Sequence, residues 1–148
     1  MFGHAQPFQE FLNRDIDVLW LGTIEPKKGL DRLLDIAGQM PDKAFTVIGD
    51  SSLNSVDYAT KIVSQLEIRP NISYEGFVQP SNIGSYIKRA KLLINTSISL
   101  GSDLTKEGFP NVFLEAWLFG TPVISMSIDL DGLISSKELG VFSKTIQE

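Results

Sequence analysis

The sequence contains no cysteine and a single histidine, His4, among its 148 residues. Without thiols it has neither a disulfide framework nor a thiolate metal site, and one imidazole is too few for a histidine-rich metal site. Cations are scarce as well, because 13 lysines and arginines face 18 acidic residues. The resulting net charge of −5 argues against a nucleic-acid partner, which would require a basic face.

Long apolar runs are also missing. No stretch reaches the length of a membrane-spanning helix, and the first residues lack the basic region and apolar run of a signal peptide. We therefore expect a cytoplasmic location. A small basic cluster, Lys88, Arg89 and Lys91, is interpreted as a solvated helix end or, alternatively, as a membrane-facing patch. The hydrophobic content of 43% is that of an ordinary soluble globular protein, and the length of 148 residues fits one domain.

The order of apolar segments predicts the fold class. Residues 1–15 are weakly patterned and are expected to form a linker or entering segment, followed by one domain over 16–148. Short apolar runs then alternate with segments of helical spacing. Strands are predicted at 16–21, 45–49, 72–76, 91–96 and 123–126, and helices at 30–37, 56–66, 81–90 and between Pro110 and Gly120, with Ser81 as an N-cap. This alternation predicts an α/β fold with a Rossmann-like parallel sheet and helices on both faces.

The carboxyl edge of such a sheet is where ligands bind. Four predicted loops meet there: 22–29, 49–54, 76–81 and 97–110. All four contain glycine, proline, serine or asparagine, which allow the backbone to approach a ligand closely. The sequence therefore predicts a binding site built from these loops.

Residues 106–122 have the pattern of a turn that leads into a helix. Gly108 permits unusual backbone angles, Pro110 fits a first helical turn, and Gly120 fits a C-terminal cap. The helix is apolar nearly all round, so we expect it to be buried. Its one charge, Glu115, would be costly there unless it is paired or hydrogen-bonded.

Glu115 and the earlier Glu107 are expected to flank the N-terminus of this helix, where free amides and the positive end of the helix dipole suit a phosphate or a sugar hydroxyl. The alternative is purely structural. In that case a neighbouring lysine or arginine neutralises Glu115, and Glu107 lies solvated in a loop.

The run Glu-Gly-Phe-Pro-Asn-Val-Phe-Leu-Glu-Ala, followed by Phe-Gly-Thr-Pro-Val-Ile, resembles the paired-glutamate signature of group 1 retaining glycosyltransferases. The resemblance covers residues 16–126 and implies one half of a GT-B fold, the C-terminal domain that binds a nucleotide-sugar donor. It implies that Glu107 contacts donor-sugar hydroxyls and that Glu115 contacts ribose hydroxyls. Donor contacts are also implied for the turn, whose amides would face the sugar and the diphosphate: Gly108, Phe109, Pro110, Asn111 and Val112.

Loop 22–29 resembles the family pattern Gly-Arg…Lys-Gly, in which arginine and lysine both contact the diphosphate. Lys28 matches the lysine and is implied to stabilise the leaving diphosphate. Thr23 stands at the arginine position, and threonine cannot hold a phosphate through two parallel hydrogen bonds. This departure weakens the expectation of catalysis more than that of donor binding. Lys27 is expected to be a solvated charge.

The other loops resemble the family less specifically. Gly49 begins a turn similar to a family Gly-Asp-Gly at the nucleotide edge, although an ordinary strand-to-helix turn fits equally well. Phe77 and Val78 match a segment that meets the base in the family, but either could be a core residue. Ser97 is a candidate for a phosphate hydrogen bond. The residues after it, 98–106, are an extra loop that is either a lid or acceptor-facing element, or a tolerated surface insertion.

Taken with the resemblance, the sequence implies sugar transfer from a nucleotide diphosphate sugar to a glycan or lipid-linked acceptor, as in polysaccharide biosynthesis. No cofactor and no metal are expected, and we favour uridine as the base. The acceptor site would come from an N-terminal domain absent from this chain, so the chain alone is expected to be inactive, and the whole enzyme could associate peripherally with a membrane. We also expect the closing helices of the family domain to be absent after the short apolar segment 139–142, which would leave an apolar patch exposed and prone to self-association.

Two other functional classes are alternatives. A non-catalytic nucleotide-sugar binding module, or a subunit of a split enzyme, remains an open alternative because of Thr23. A flavodoxin-like signalling domain is disfavoured, because the first strand does not end in an acidic cluster paired with a later lysine.

Overall fold

The structure is a computed structural model that describes residues 10–97 and 111–126, together with the backbone of residues 140–142. Residues 10–12 are helical. The following elements are, in order, β1 (Val18–Leu21), a 3-10 helix (Pro26–Lys28), α1 (Leu30–Gln39), β2 (Phe45–Ile48), α2 (Val56–Glu67), β3 (Ile72–Gly76), α3 (Pro80–Arg89), β4 (Leu93–Asn95), α4 (Asn111–Leu118), β5 (Val123–Ser125) and β6 (Gly140–Phe142).

The described strands form one parallel sheet in the order β3-β2-β1-β4-β5-β6. The chain runs outward from β1 to β3 and then returns to the other side of β1 with β4. The neighbouring pair β1 and β4 is therefore the topological switch point of the sheet. The predicted Rossmann-like α/β fold is confirmed, and the structure adds β6, which the sequence did not predict as a strand.

Helices cover both faces of the sheet, because side chains along each strand point alternately to opposite faces. Val18 and Trp20 of β1 pack in a core with α1 and α2. Leu19, between them, packs in a second core with α3 and α4. Strands β1 and β2 are short and almost wholly apolar, as expected for strands that are buried on both sides, whereas the edge strand β3 carries the exposed Ser73 and Glu75.

The start of α3 corrects one prediction. Ser81 is not the N-cap, because the helix begins at Pro80 and Gln79 occupies the capping position. Proline suits the first helical position, where its fixed φ angle is helical and no amide hydrogen is needed. Ser81 is therefore a residue of the first turn.

Helix α4 is less buried than its composition predicted. Phe113 and Ala116 are buried, but Leu114 is 48% exposed and Leu118 is 84% exposed. The expectation of burial all round was wrong, because one side of the helix packs on the sheet while its outer side remains accessible. Composition alone does not show how many sides of a helix are covered.

The end of α4 agrees with the prediction. Gly120 has a φ angle of 67°. Its amide donates to the carbonyl of Trp117, and the amide of Thr121 donates to that of Ala116. These bonds form the Schellman motif, which ends the helix and satisfies its last carbonyls.

Arg14 ties the first described segment to the end of α4. Its guanidinium donates to the carbonyls of Ala90 and Phe119 and to the hydroxyl of Thr121, at 2.7–2.8 Å. The Thr121 hydroxyl in turn donates to the carbonyl of Ile87 at the end of α3. One side chain thus joins the entry segment to the carboxyl ends of two helices, where a cation is also favoured by the helix dipole.

Replacing Arg14 by methionine is therefore expected to destabilise the chain by about 2 kcal/mol, since it leaves partly buried acceptors without their charged donor. We expect the melting temperature to fall by about 4–8 °C, measured by circular dichroism. The matched control is Arg89→Met, which breaks an exposed ion pair with Asp15 and should change stability by less than about 1 kcal/mol. Equal losses in the two variants would contradict the assigned role of Arg14.

The basic cluster after α3 is largely matched by carboxylates. Arg89 donates to both carboxylate oxygens of Asp15, at 3.0 and 2.6 Å, and Lys91 donates to Asp17 at 3.0 Å. Hydrogen bonds lower the pKa of both aspartates, from Arg89 in the case of Asp15 and chiefly from the Ala44 amide in the case of Asp17. This arrangement favours a solvated helix end over a membrane-facing patch.

Candidate functional site

A cleft of about 580 Å³ lies at the carboxyl edge of the sheet, across the switch point between β1 and β4. Its volume lies within the range of small-molecule sites. The described residues that line it come from five separate parts of the chain: Trp20, Leu21, Gly22, Thr23, Lys28, Ile48, Gly49, Asp50, Ser51, Phe77, Val78, Ile83, Asn95, Thr96, Ser97, Asn111, Val112 and Glu115.

The cleft brings together every candidate site residue that falls in the described part of the chain. These are Thr23, Lys28, Gly49, Val78, Ser97, Asn111, Val112 and Glu115. The remaining candidates, Glu107, Gly108, Phe109 and Pro110, lie outside the described residues, as does the extra loop 98–106. The predicted meeting of the four loops at one edge is thus confirmed for their described portions.

The first loop presents Lys28 to the cleft through a hydrogen-bonded turn. The Lys28 amide donates to the carbonyl of Glu25, and Gly29 ends the turn with a φ angle of 65°. Thr23 is exposed and also lines the cleft. Lys27 does not line it: its ammonium lies 3.4 Å from Glu25 and its side chain is 51% exposed, as expected for a solvated charge.

The second loop is held against the first by backbone hydrogen bonds. The Gly22 amide donates to the carbonyl of Ile48, and the Gly49 amide donates to that of Gly76. The Tyr74 hydroxyl donates to the Gly49 carbonyl at 3.0 Å, and burial raises the pKa of Tyr74. Gly49 therefore sits where three backbone segments meet, and its contact with a nucleotide stays a prediction.

The third loop places an aromatic ring at the rim of the cleft. Phe77 is 65% exposed, so it is not a core residue. Val78 lines the same cleft and packs partly against the core beneath α3 and α4. An exposed aromatic face beside a polar cleft suits stacking against a planar ligand.

The charges around the cleft are few. Among its described lining residues Lys28 is the one cation, and Asp50 and Glu115 are the two carboxylates. Glu115 is exposed, and none of the ion pairs within the described residues involves it. The alternative of a buried Glu115 neutralised by an internal cation is therefore wrong. Its carboxylate is accessible to a ligand in the cleft.

Sequence reasoning missed two residues on the floor of the cleft. The indole of Trp20 donates to the hydroxyl of Thr96 at 2.9 Å, and this hydroxyl donates to the carbonyl of Lys28 at 2.8 Å. Both side chains are buried. The available signal was the tryptophan itself, since an indole N–H inside an apolar strand needs an acceptor.

The described residues contain no group of three or more histidine, cysteine, aspartate or glutamate side chains placed to hold a metal ion. No helix within them is long and apolar enough to cross a membrane. What the cleft does offer is one ammonium group, several backbone turns, an aromatic rim and two carboxylates, a set that suits a ligand with an anionic part and a hydroxylated part.

Comparison with known protein families gives one match to this chain. The family model described as "Glycosyl transferases group 1" matches residues 4–130, which is most of the sequence. A comparison with curated protein sequences gives no match.

Solved structures share the fold at low identity. Anabaena Alr3699/HepE, in complex with UDP and glucose, is 22% identical with a TM-score of 0.69, and the match covers 97% of this chain and 39% of that one. A mutant of TarM from S. aureus, in complex with UDP and two further ligands, is 17% identical with a TM-score of 0.67, covering 90% of this chain and 27% of that one.

A third structure is the C-terminal domain of a group 1 family glycosyl transferase (LpcC) from Francisella tularensis. It is 19% identical with a TM-score of 0.65, and the match covers 94% of this chain and 75% of that domain. The chain thus spans well under half of the first two proteins and most of an isolated C-terminal domain.

Proposed function

The chain belongs to the group 1 glycosyl transferase family, and from this we propose that it is the donor-binding domain of a retaining glycosyltransferase. The whole enzyme would move a sugar from a nucleotide diphosphate sugar to a glycan or lipid-linked acceptor. One observation carries the proposal for this chain. Lys28 and Glu115, 87 positions apart in sequence, line the same cleft at the topological switch point of the sheet.

The described cleft offers groups for the diphosphate, the base and the ribose of such a donor. The ammonium of Lys28 would neutralise the diphosphate as it leaves, and Ser97 at the end of β4 would add a hydrogen bond. Phe77 and Val78 would meet the base. Glu115 would accept hydrogen bonds from the ribose hydroxyls, with Asn111 and Val112 beside it at the start of α4. Glu107 is proposed to contact the sugar.

Uridine is the proposed base. The Anabaena and TarM structures both contain UDP, and both share the fold of this chain. The exposed ring of Phe77 provides a surface on which a pyrimidine can stack. We propose no metal in the reaction, because the diphosphate charge would be met by Lys28 and the dipole of α4.

Transfer itself would require a second, N-terminal domain that binds the acceptor across an interdomain cleft. The described lining residues include no histidine, and we propose no general base among them. We therefore expect this chain alone to bind the donor without turnover. Robust transfer by the isolated chain in a turnover assay would contradict this part of the proposal.

Calorimetric titration tests donor binding directly. We expect UDP and UDP-sugars to bind more tightly than uridine, because Lys28 contacts the diphosphate and not the nucleoside. The guanosine and adenosine diphosphates serve as controls for base selectivity. No detectable binding of any of these diphosphate ligands would overturn the proposed function.

A non-catalytic binding module is a second candidate, and Thr23 is the observation that favours it. Thr23 lies exposed at the cleft, so an arginine at this position could reach a diphosphate held by Lys28. We expect Thr23→Arg to tighten UDP binding by about tenfold, the effect of one added charge-assisted bond of about 1.5 kcal/mol.

The same variant separates the two functions when it is combined with an N-terminal acceptor domain. If the chain supports catalysis, the turnover of the combined enzyme should be higher with Thr23→Arg than with threonine at position 23. A chain that binds UDP more tightly after the substitution and still supports no transfer would be a binding module.

A further inference from the structure

We infer that Thr96, held by Trp20, is a positioning residue for Lys28, and this inference rests on the proposed function of the cleft. The Thr96 hydroxyl has one hydrogen to donate and directs it to the carbonyl of Lys28 at 2.8 Å. It can do so because the indole N–H of Trp20 occupies its acceptor side at 2.9 Å. The orientation of the hydroxyl is thereby fixed.

This bond completes the fixation of the Lys28 backbone. The Lys28 amide donates to the carbonyl of Glu25 within the turn. Its carbonyl accepts from Thr96, which stands at the end of β4 on the far side of the switch point. Both polar groups of the peptide backbone at Lys28 are therefore held, one by its own turn and one by the neighbouring strand.

Trp20 links the same site to the glycine turns. A Cβ atom added to Gly22 would lie 3.1 Å from the Cη2 atom of its ring, and one added to Gly49 would lie 3.5 Å from its Cζ3 atom. The indole thus supports both loops from below while its N–H holds Thr96. Because Trp20 and Thr96 are both buried, these hydrogen bonds are shielded from water. A donor or acceptor left without its partner there would therefore cost free energy of folding.

The position of the Lys28 backbone matters because the lysine ammonium is carried on a flexible side chain. Lysine binds phosphate as a point charge, so its contribution depends on where its backbone places the stem. Loosening the carbonyl of Lys28 should weaken contacts to the diphosphate and leave contacts to the base and ribose unchanged. A residue that acted on the fold in general would weaken all of these contacts together.

Thr96→Val tests the inference, because valine keeps the shape of threonine and removes the hydroxyl. We expect UDP affinity to fall by about tenfold and uridine affinity to stay within twofold of its original value. Amide hydrogen exchange across residues 25–29, measured without ligand, should become faster. Thr96→Ser, which keeps the hydroxyl, should leave both the UDP affinity and the exchange rate close to those of the unmodified chain.

The matched control is Thr46→Val, a buried strand threonine that does not line the cleft. It should leave exchange at residues 25–29 and UDP affinity unchanged. If Thr96→Val does not fold, Trp20→Phe, which removes the indole donor, should speed exchange in the same segment.

Two outcomes would overturn the inference: unchanged exchange at residues 25–29 in Thr96→Val, or equal losses of UDP and uridine affinity. Failure of the unmodified chain to bind UDP is a different result. It would overturn the proposed function, and the exchange measurement would still decide whether Thr96 fixes the turn.

Discussion

Replacing Gly49 by alanine should destabilise the chain by more than about 3 kcal/mol and abolish ligand binding in the cleft. Gly49 has a φ angle of 153°, and an added Cβ atom would lie 1.8 Å from the carbonyl oxygen of Gly22. Because that contact is with backbone, no side-chain rotation relieves it. The two loops would have to separate, which would break the hydrogen bond from the Gly22 amide to Ile48.

Gly120→Ala provides the matched control for Gly49→Ala. Gly120 also has a positive φ angle, of 67°, but an added Cβ atom there meets nothing within 4 Å. Gly120→Ala should lower the free energy of unfolding only through the unfavourable backbone conformation, by about 1–2 kcal/mol. Urea denaturation measures both losses. Equal losses at the two positions would show that the loops do not meet as closely as described.

Replacing Lys28 by methionine should weaken UDP binding by about 10- to 100-fold, the loss of a charge-assisted contact worth about 1.5–3 kcal/mol. Among the described lining residues Lys28 is the one cation, so the variant leaves a diphosphate facing the carboxylates of Asp50 and Glu115. Uridine carries no phosphate, and its affinity should change little. Calorimetry with both ligands gives the comparison.

Lys27→Met is the control for this substitution. Lys27 belongs to the same 3-10 helix and carries the same charge, but it pairs with Glu25 and does not line the cleft. It should reduce UDP affinity by less than about twofold, as expected for a screened surface charge. If both variants lose the same affinity, the effect is that of net charge and not of a phosphate contact by Lys28.

The sheet could be predicted from sequence because its signals are local. Short apolar runs and helical spacing identified five of the six described strands and the helices α1 to α4, with ends that differ by a few residues, but not the helical residues 10–12. The predictions that were wrong concern features that local sequence does not decide: which of two residues begins a helix, and which sides of a helix other elements cover. Pro80 displaced Ser81 from the N-cap, and the exposed side of α4 could not be read from its apolar residues.

The site was predictable in its location and less so in its internal bonds. The rule that ligands bind at the carboxyl edge, together with the motif resemblance, identified residues as distant as Thr23 and Glu115 as neighbours of one cleft. The bond between Trp20 and Thr96 joins residues 76 positions apart, and no local pattern specifies it. The same is true of Arg14, which lies in a segment with weak patterning and yet reaches the end of α4.

The central claim is that a nucleotide diphosphate binds at the carboxyl edge of this sheet, between the Lys28 turn and the first turn of α4. Amide chemical-shift mapping during a UDP titration tests it most directly. The account predicts that the amides of Thr23, Lys28, Gly49, Ser97 and Asn111 shift together with one saturating concentration dependence, while Asn71 and Asp15, which lie away from this cleft, stay unchanged. Shifts centred on Asn71 and Asp15, or none at saturating UDP, would contradict it.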